Sequence, residues 1–154
     1  MGRYWRTLGG PLGGDDPGGI GDVHPSGAVL DEAIAPHPGL TEDQLLAMIS
    51  RHGPRVAAKA ATNPGAPAMV LEHLTRQPAS ARKALREIAR HLNASLPTLL
   101  ACLADPQACP VVATRPELPR AVLVDLLADQ DWQVAAAAAA NLSLPTDAMS
   151  ALLP

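Results

Sequence analysis

The sequence contains no phenylalanine, and its three aromatic residues, two Trp and one Tyr, make up only 2% of 154 residues. Strands are enriched in aromatic and β-branched side chains, so this scarcity argues against a sheet and leaves a core of Ala, Leu, Val, Met and Ile. Two cysteines, Cys102 and Cys109, are too few for a disulfide framework, and a reduced intracellular protein is the expectation. No apolar run approaches the roughly 18 residues that a membrane span requires. Arg3 and Arg6 precede Gly, Pro and Asp rather than an apolar stretch, which is not the pattern of a secretion signal. A soluble, cytoplasmic protein with no membrane partner is expected.

Assembled chemistry is also scarce. His24, His37, His52, His73 and His91 are scattered, with no pair at metal-helix spacing, and each is expected as a surface or capping residue. Six residues separate Cys102 from Cys109, unlike the short spacing of a zinc knuckle, so buried structural thiols are expected. No serine sits in a Gly-x-Ser-x-Gly elbow, and Ser50, Ser80, Ser95, Ser143 and Ser150 fall near expected helix ends. The glycine-rich start lacks the Gly-Lys-Ser/Thr ending of a phosphate loop. No catalytic residue, cofactor or metal ligand is assigned, and a non-catalytic chain is expected.

What is present begins with glycine. Nine of the 12 glycines lie in the first 27 residues, in a Gly/Pro-rich segment that cannot repay its ordering entropy by burial. Residues 1–27 are expected to be a flexible tail, and 28–154 a helical repeat domain. Within the tail, Arg3-Tyr4-Trp5-Arg6 holds two of the three aromatics. It reads either as a short docking motif or as a chance cluster.

From about residue 28 the chain repeats. Take Leu40, Ala66, Leu118 and Leu144 as anchors: five residues on come Leu45, Leu71, Leu123 and Met149, and eight on come Met48, Leu74, Leu126 and Leu152. A spacing of three is one helical face. Five residues before the anchors stand Ala35, Ala61, Ala113 and Ala139, and ten before stand Leu30, Val56, Ala108 and Val134, outlining a second, shorter segment. Leu96, with Leu100 and Leu103, serves as one more anchor, so successive anchors are spaced 26, 30, 22 and 26. Pro67, Pro97, Pro119 and Pro145 follow their anchors in the first helical turn, where a missing N–H costs nothing. Residues 79–92 are expected to form a longer amphipathic helix with Ala81, Ala84, Leu85, Ile88 and Leu92 on its apolar face. Neither helix of a unit can bury its stripe alone, so the units must stack. The fold class is therefore all-α: a short solenoid of about four to five ragged two-helix repeats, with 3₁₀ turns in places.

The charge is uneven along the chain. Residues 51–120 carry ten Lys or Arg against four acids, a net +6, between an N-terminal −5 and a C-terminal −4. A solvated outer face accounts for much of this, and a surface for an acidic partner is the functional alternative.

The Leu96-Pro97-Thr98-Leu99-Leu100-Ala101-Cys102-Leu103-Ala104-Asp105-Pro106 stretch and the Asn63-Pro64 junction resemble the leucine-rich repeat variant family. The resemblance spans about residues 28–154 and implies a right-handed superhelix of alternating α and 3₁₀ helices with an exposed concave face. It implies no reaction. The iron–sulfur domain of some members is not carried over, because no cysteine lies ahead of the repeats.

If the short helices align on one side, Arg55, Lys59, Arg82, Lys83, Arg86 and Arg90 form a basic patch across neighbouring repeats. The expected function is a protein–protein interaction module that holds a protein or peptide with an acidic region, with Tyr4 and Trp5 as further partner contacts. The alternative is binding to the phosphate backbone of a nucleic acid, for which aromatics to stack on bases are few. Homo-oligomerisation through the smooth Ala135–Ala140 face is a further outcome open to the sequence.

Overall fold

Residues 26–78 and 81–154 are described by the computed structural model; Tyr4, Trp5 and the other tail expectations lie outside them. Helix α2, Glu42–His52, shows how the local chemistry acts. Thr41 and Gln44 form a reciprocal capping box, Glu42 and Asp43 stand in the first turn, and Arg51 and His52 stand in the last. Acids at the start and bases at the end complement the helix dipole. The helix ends at Gly53, whose φ of 53° and ψ of −130° suit only glycine, and Pro54 at once begins α3, Pro54–Ala61.

The remaining elements are α1 (Gly27–Ile34), α4 (Ala68–Thr75), α5 (Arg82–Arg90), α6 (Leu96–Cys102), α7 (Cys109–Ala113), α8 (Arg120–Leu127), α9 (Trp132–Ala139) and α10 (Thr146–Leu152). The described residues are all-helical, with no strand. Proline supplies most of the starts: Pro67, Pro119 and Pro145 are N-caps, and Pro97 and Pro110 lie in first turns. Asp131 caps α9 by accepting from the Gln133 N–H. Both helices of each pair are α-helical, and the only 3₁₀ residue among those described is Ala81, just before α5. The expected α/3₁₀ alternation is therefore absent there; Ala-rich segments such as α3 and α9 have the propensity to complete α turns.

The helices form five consecutive pairs in two rows. In one row α1 packs on α3, α3 on α5, α5 on α7 and α7 on α9; in the other, α2 packs on α4 and α4 on α6. The rows meet through contacts such as α2 with α3, α4 with α5 and α8 with α9. Between them lies one continuous core that includes Leu45, Leu71, Leu99 and Leu123, all fully buried. Each such side chain contributes about 2 kcal/mol relative to exposure.

The burial pattern corrects the third anchor. Leu96 and Leu100 are exposed, whereas Ala94 is buried, with Leu99 five residues on, Cys102 eight on, Ala89 five before and Ala84 ten before, all buried. With Ala94 as anchor the spacings become 26, 28, 24 and 26, closer to a constant period. The expected long helix is likewise an ordinary member of its row: α5 spans nine residues. Leu92, expected on its apolar face, is 89% exposed because α5 ends at Arg90 and His91 turns the chain. Departures at the ends of the stack are of another kind. Leu30 and Ala139, in the first and last described pairs, occupy core register but are exposed.

Candidate binding groove

The junction inside each pair determines how one pair sits on the next. At equivalent positions three residues before the anchors stand His37, Asn63, His91, Arg115 and Asn141. The Asn63 Nδ2 group donates to the Ala35 and His37 carbonyls at 2.9 and 2.8 Å, while its Oδ1 accepts from the Gly65 N–H. Asn141 repeats the arrangement, donating to the Ala113 and Arg115 carbonyls at 2.7 and 2.9 Å and accepting from the Ser143 N–H. In the middle pairs other chemistry does the same task. The His91 Nδ1 atom accepts from the Asn93 N–H, which leaves Nε2 to donate to the Asn63 carbonyl at 2.7 Å. The Arg115 guanidinium reaches the His91 carbonyl at 3.2 Å and pairs with Glu117 through two nitrogens. That pairing holds the Glu117 carboxyl below its ordinary range, the Arg115 hydrogen bond being the main cause.

This ladder was missed in the sequence because its members differ in residue type. His91, expected at the surface or as a cap, is the C-cap residue of α5 and is buried rather than at the surface. The detectable signal was position: each member stands three residues before an apolar anchor, once the third anchor is taken as Ala94.

By fixing the pairs in register, the ladder brings the α1, α3, α5, α7 row to one side, where a groove of about 860 Å³ opens. Arg55 and Lys59 of α3 line it together with Lys83 and Arg86 of α5, so four of the six expected basic-patch residues share one cavity. Small residues such as Ala58, Thr62 and Ala81 are also on its wall, and Glu32, Glu87 and Gln107 complete its polar lining. Arg82 lies elsewhere: it lines a separate 120 Å³ hollow with Gln77 and Asp105. Arg90 is outside the groove and pairs with Glu87 at 3.8 Å.

Charge pairing divides the groove cations. Arg55 donates to Glu32 at 3.0 Å. Lys59, Lys83 and Arg86 have no carboxylate at ion-pair distance among the described residues, and all three are exposed. Compared with protein families, curated proteins and solved structures, the chain has no match in any of the three.

The two thiols lie away from the groove. Both are free and buried; burial, and then the Asp105 carboxylate, pushes Cys102 up to about 11. Cys109 is raised as well, by burial and then by Asp129 and Asp131. Among the described residues no three His, Cys, Asp or Glu side chains are grouped as a metal site requires, and no helix is long and apolar enough to cross a membrane.

Proposed function

We propose that this chain is a non-catalytic interaction module that holds an acidic segment of a partner protein in the groove lined by α1, α3, α5 and the turn before α7. The observation that carries this is that Lys59, Lys83 and Arg86, from the neighbouring helices α3 and α5, line one 860 Å³ cavity and have no carboxylate at ion-pair distance among the described residues. A solvated face has no need to gather its free charges around a concavity with small residues on its wall. Like charges gathered around a cleft also focus the field on an approaching anion. In this reading the two rows are a short solenoid of the leucine-rich repeat variant kind, and the groove is its concave surface. The Asn63-Pro64 junction and the Leu96–Pro106 stretch support that assignment.

The test is a titration of the chain with a Glu-rich peptide and with a neutral peptide of equal length, at low and at physiological salt. The acidic peptide binds and weakens with salt, since exposed charges are screened over about 8–10 Å. The combined Lys59→Glu, Lys83→Glu and Arg86→Glu variant loses about a hundredfold in affinity, at roughly 1 kcal/mol per contact. Binding that ignores these three reversals, with helicity by circular dichroism intact, sinks the assigned groove. Tighter binding of single-stranded DNA or RNA than of any peptide moves the nucleic-acid reading to first place.

A further inference from the structure

We infer that a second copy of this chain stacks on the first, end to end, through the same kind of interface that joins successive helix pairs inside it. The inference does not depend on the groove. Comparing equivalent positions shows which way each side chain faces. The positions ten and six before the anchors share one helical face and are buried in the second to fifth pairs, as Val56, Ala84, Ala108 and Val134 and as Ala60, Ile88, Val112 and Ala138. In the first pair the same positions are Leu30 and Ile34, 48% and 44% exposed. The fifth pair buries them with no described pair after it, so the preceding pair is what covers them. The first pair has no preceding pair among the described residues.

The positions five before and five after the anchors behave in the opposite way. Ala35, Ala61, Ala89 and Ala113, with Leu45, Leu71, Leu99 and Leu123, are buried in the first four pairs, whereas their counterparts Ala139 and Met149 in the fifth are exposed. Leu152, on the same face of α10 as Met149, is 52% exposed. The two ends are therefore the two halves of the interface by which each pair joins the next. Terminal units with a polar outer face keep repeat stacks soluble. Here the outer face is apolar at both ends.

The polar ladder is incomplete in the matching way. His37 holds the ladder position of the first pair, and its Nδ1 accepts from the Gly39 N–H at 3.1 Å, as the His91 Nδ1 accepts from the Asn93 N–H at 3.0 Å. In both rings Nε2 is left as the donor. His91 Nε2 donates to the Asn63 carbonyl at 2.7 Å, but His37 is exposed and its Nε2 has no acceptor among the described residues. At the other end, the carbonyls that a further ladder donor would reach are those of Ala139 and Asn141. Among the described residues the Ala139 carbonyl accepts no hydrogen bond, and the Asn141 carbonyl accepts only from the Leu144 N–H, as the Asn63 carbonyl does from the Ala66 N–H besides its bond from His91. His37 of one copy on Asn141 of another thus repeats the His91–Asn63 junction. Two unlike ends that fit each other make a heterologous contact, which propagates into an open chain or a ring and does not stop at a symmetric dimer.

The experiment is sedimentation velocity of the full chain over a concentration series, with two double variants whose helicity is checked by circular dichroism. Leu30→Glu with Ile34→Glu charges the first end, and Met149→Glu with Leu152→Glu charges the last; all four side chains are exposed in the single chain. The unaltered chain is expected to grow past the dimer with concentration, and each double variant alone to stay monomeric. Their equimolar mixture forms a dimer and stops there, because one open first end and one open last end remain. His37→Ala weakens association about fivefold, the worth of one hydrogen bond, whereas Lys83→Glu in the groove leaves it unchanged. A double variant that still associates with itself overturns the end-to-end arrangement in favour of a contact between like ends. An unaltered chain that is monomeric at about 1 mM overturns the stacking altogether, as does a mixture of folded double variants that forms no dimer.

Discussion

The outer junctions of the ladder are built on asparagine and the middle ones on histidine and arginine, yet all join a helix pair to the one before it. Asn63 and Asn141 each span two carbonyls of the preceding pair and brace their own turn. His91 contributes a single ring N–H across the pair boundary, with Asn93 adding a bond to the Ala66 carbonyl. Arg115 adds length and an ion pair with Glu117. What the difference teaches is that the position demands a donor reaching back to the carbonyls at the end of the preceding pair's first helix, not one residue type. The His37, Asn63, His91 and Arg115 carbonyls also accept from the Leu40, Ala66, Ala94 and Leu118 N–H groups, so the ladder donor is their second, whereas the Ala35 and Ala113 carbonyls lie at helix ends, where a partner from outside the helix is needed.

The comparison breaks most sharply at Asn63. Its replacement in Asn63→Ala leaves the Ala35 carbonyl and the Gly65 N–H without their partner and leaves the His37 carbonyl only the Leu40 N–H, at a cost of about 3 kcal/mol in urea unfolding. A change under about 1 kcal/mol would show that water replaces the ladder. Arg115→Ala comes next, about 2 kcal/mol, because a charged donor is lost to the His91 carbonyl. Arg115→Lys recovers only part, since an ammonium cannot keep the two-nitrogen pairing with Glu117. His91→Ala costs about 1–2 kcal/mol by the same accounting. If the position wants only a donor, His91→Asn is less damaging than His91→Ala; equal losses would mean that the ring itself is required.

The smallest effect sharpens the contrast through packing. Cys102 holds the register position that Leu74 and Leu126 hold in neighbouring pairs, so the third pair has the lighter core. Its thiol, ordinarily ionising near 9.0, is held up to about 11 in the folded chain. The unfolded chain therefore releases this proton first as pH rises, and stability falls between about pH 9 and 11. Cys102→Ala removes that part of the alkaline slope, measured by thermal unfolding across the same range. An unchanged slope would place the titrating group elsewhere.

Much of the helical layout was legible beforehand. The apolar spacing around Leu40, Ala66, Leu118 and Leu144 marks helices that the structure contains, and the prolines stand at or near their starts. Legibility failed at Leu96, where Leu-Pro-x-Leu-Leu looks like an anchor and the true one, Ala94, is a small residue with no pattern of its own. The candidate groove was partly legible: Arg55, Lys59, Lys83 and Arg86 share it, but Arg82 and Arg90 do not. On a helix, residues one apart point about 100° from each other, so Arg82 and Lys83 cannot serve one surface equally. Tyr4 and Trp5 lie outside the described residues.

The sequence by itself determined that this chain is helical, where most helices begin, and which faces are apolar, because propensity, capping and periodicity act over a few residues. Only the tertiary structure decided which polar groups became ladder members and which cations converged. Those outcomes depend on the register between pairs, set by bonds such as Asn63 to Ala35 that join residues 28 apart in the chain. No local pattern encodes such a distance. It emerges when buried carbonyls, having lost water, must find a donor on the neighbouring pair.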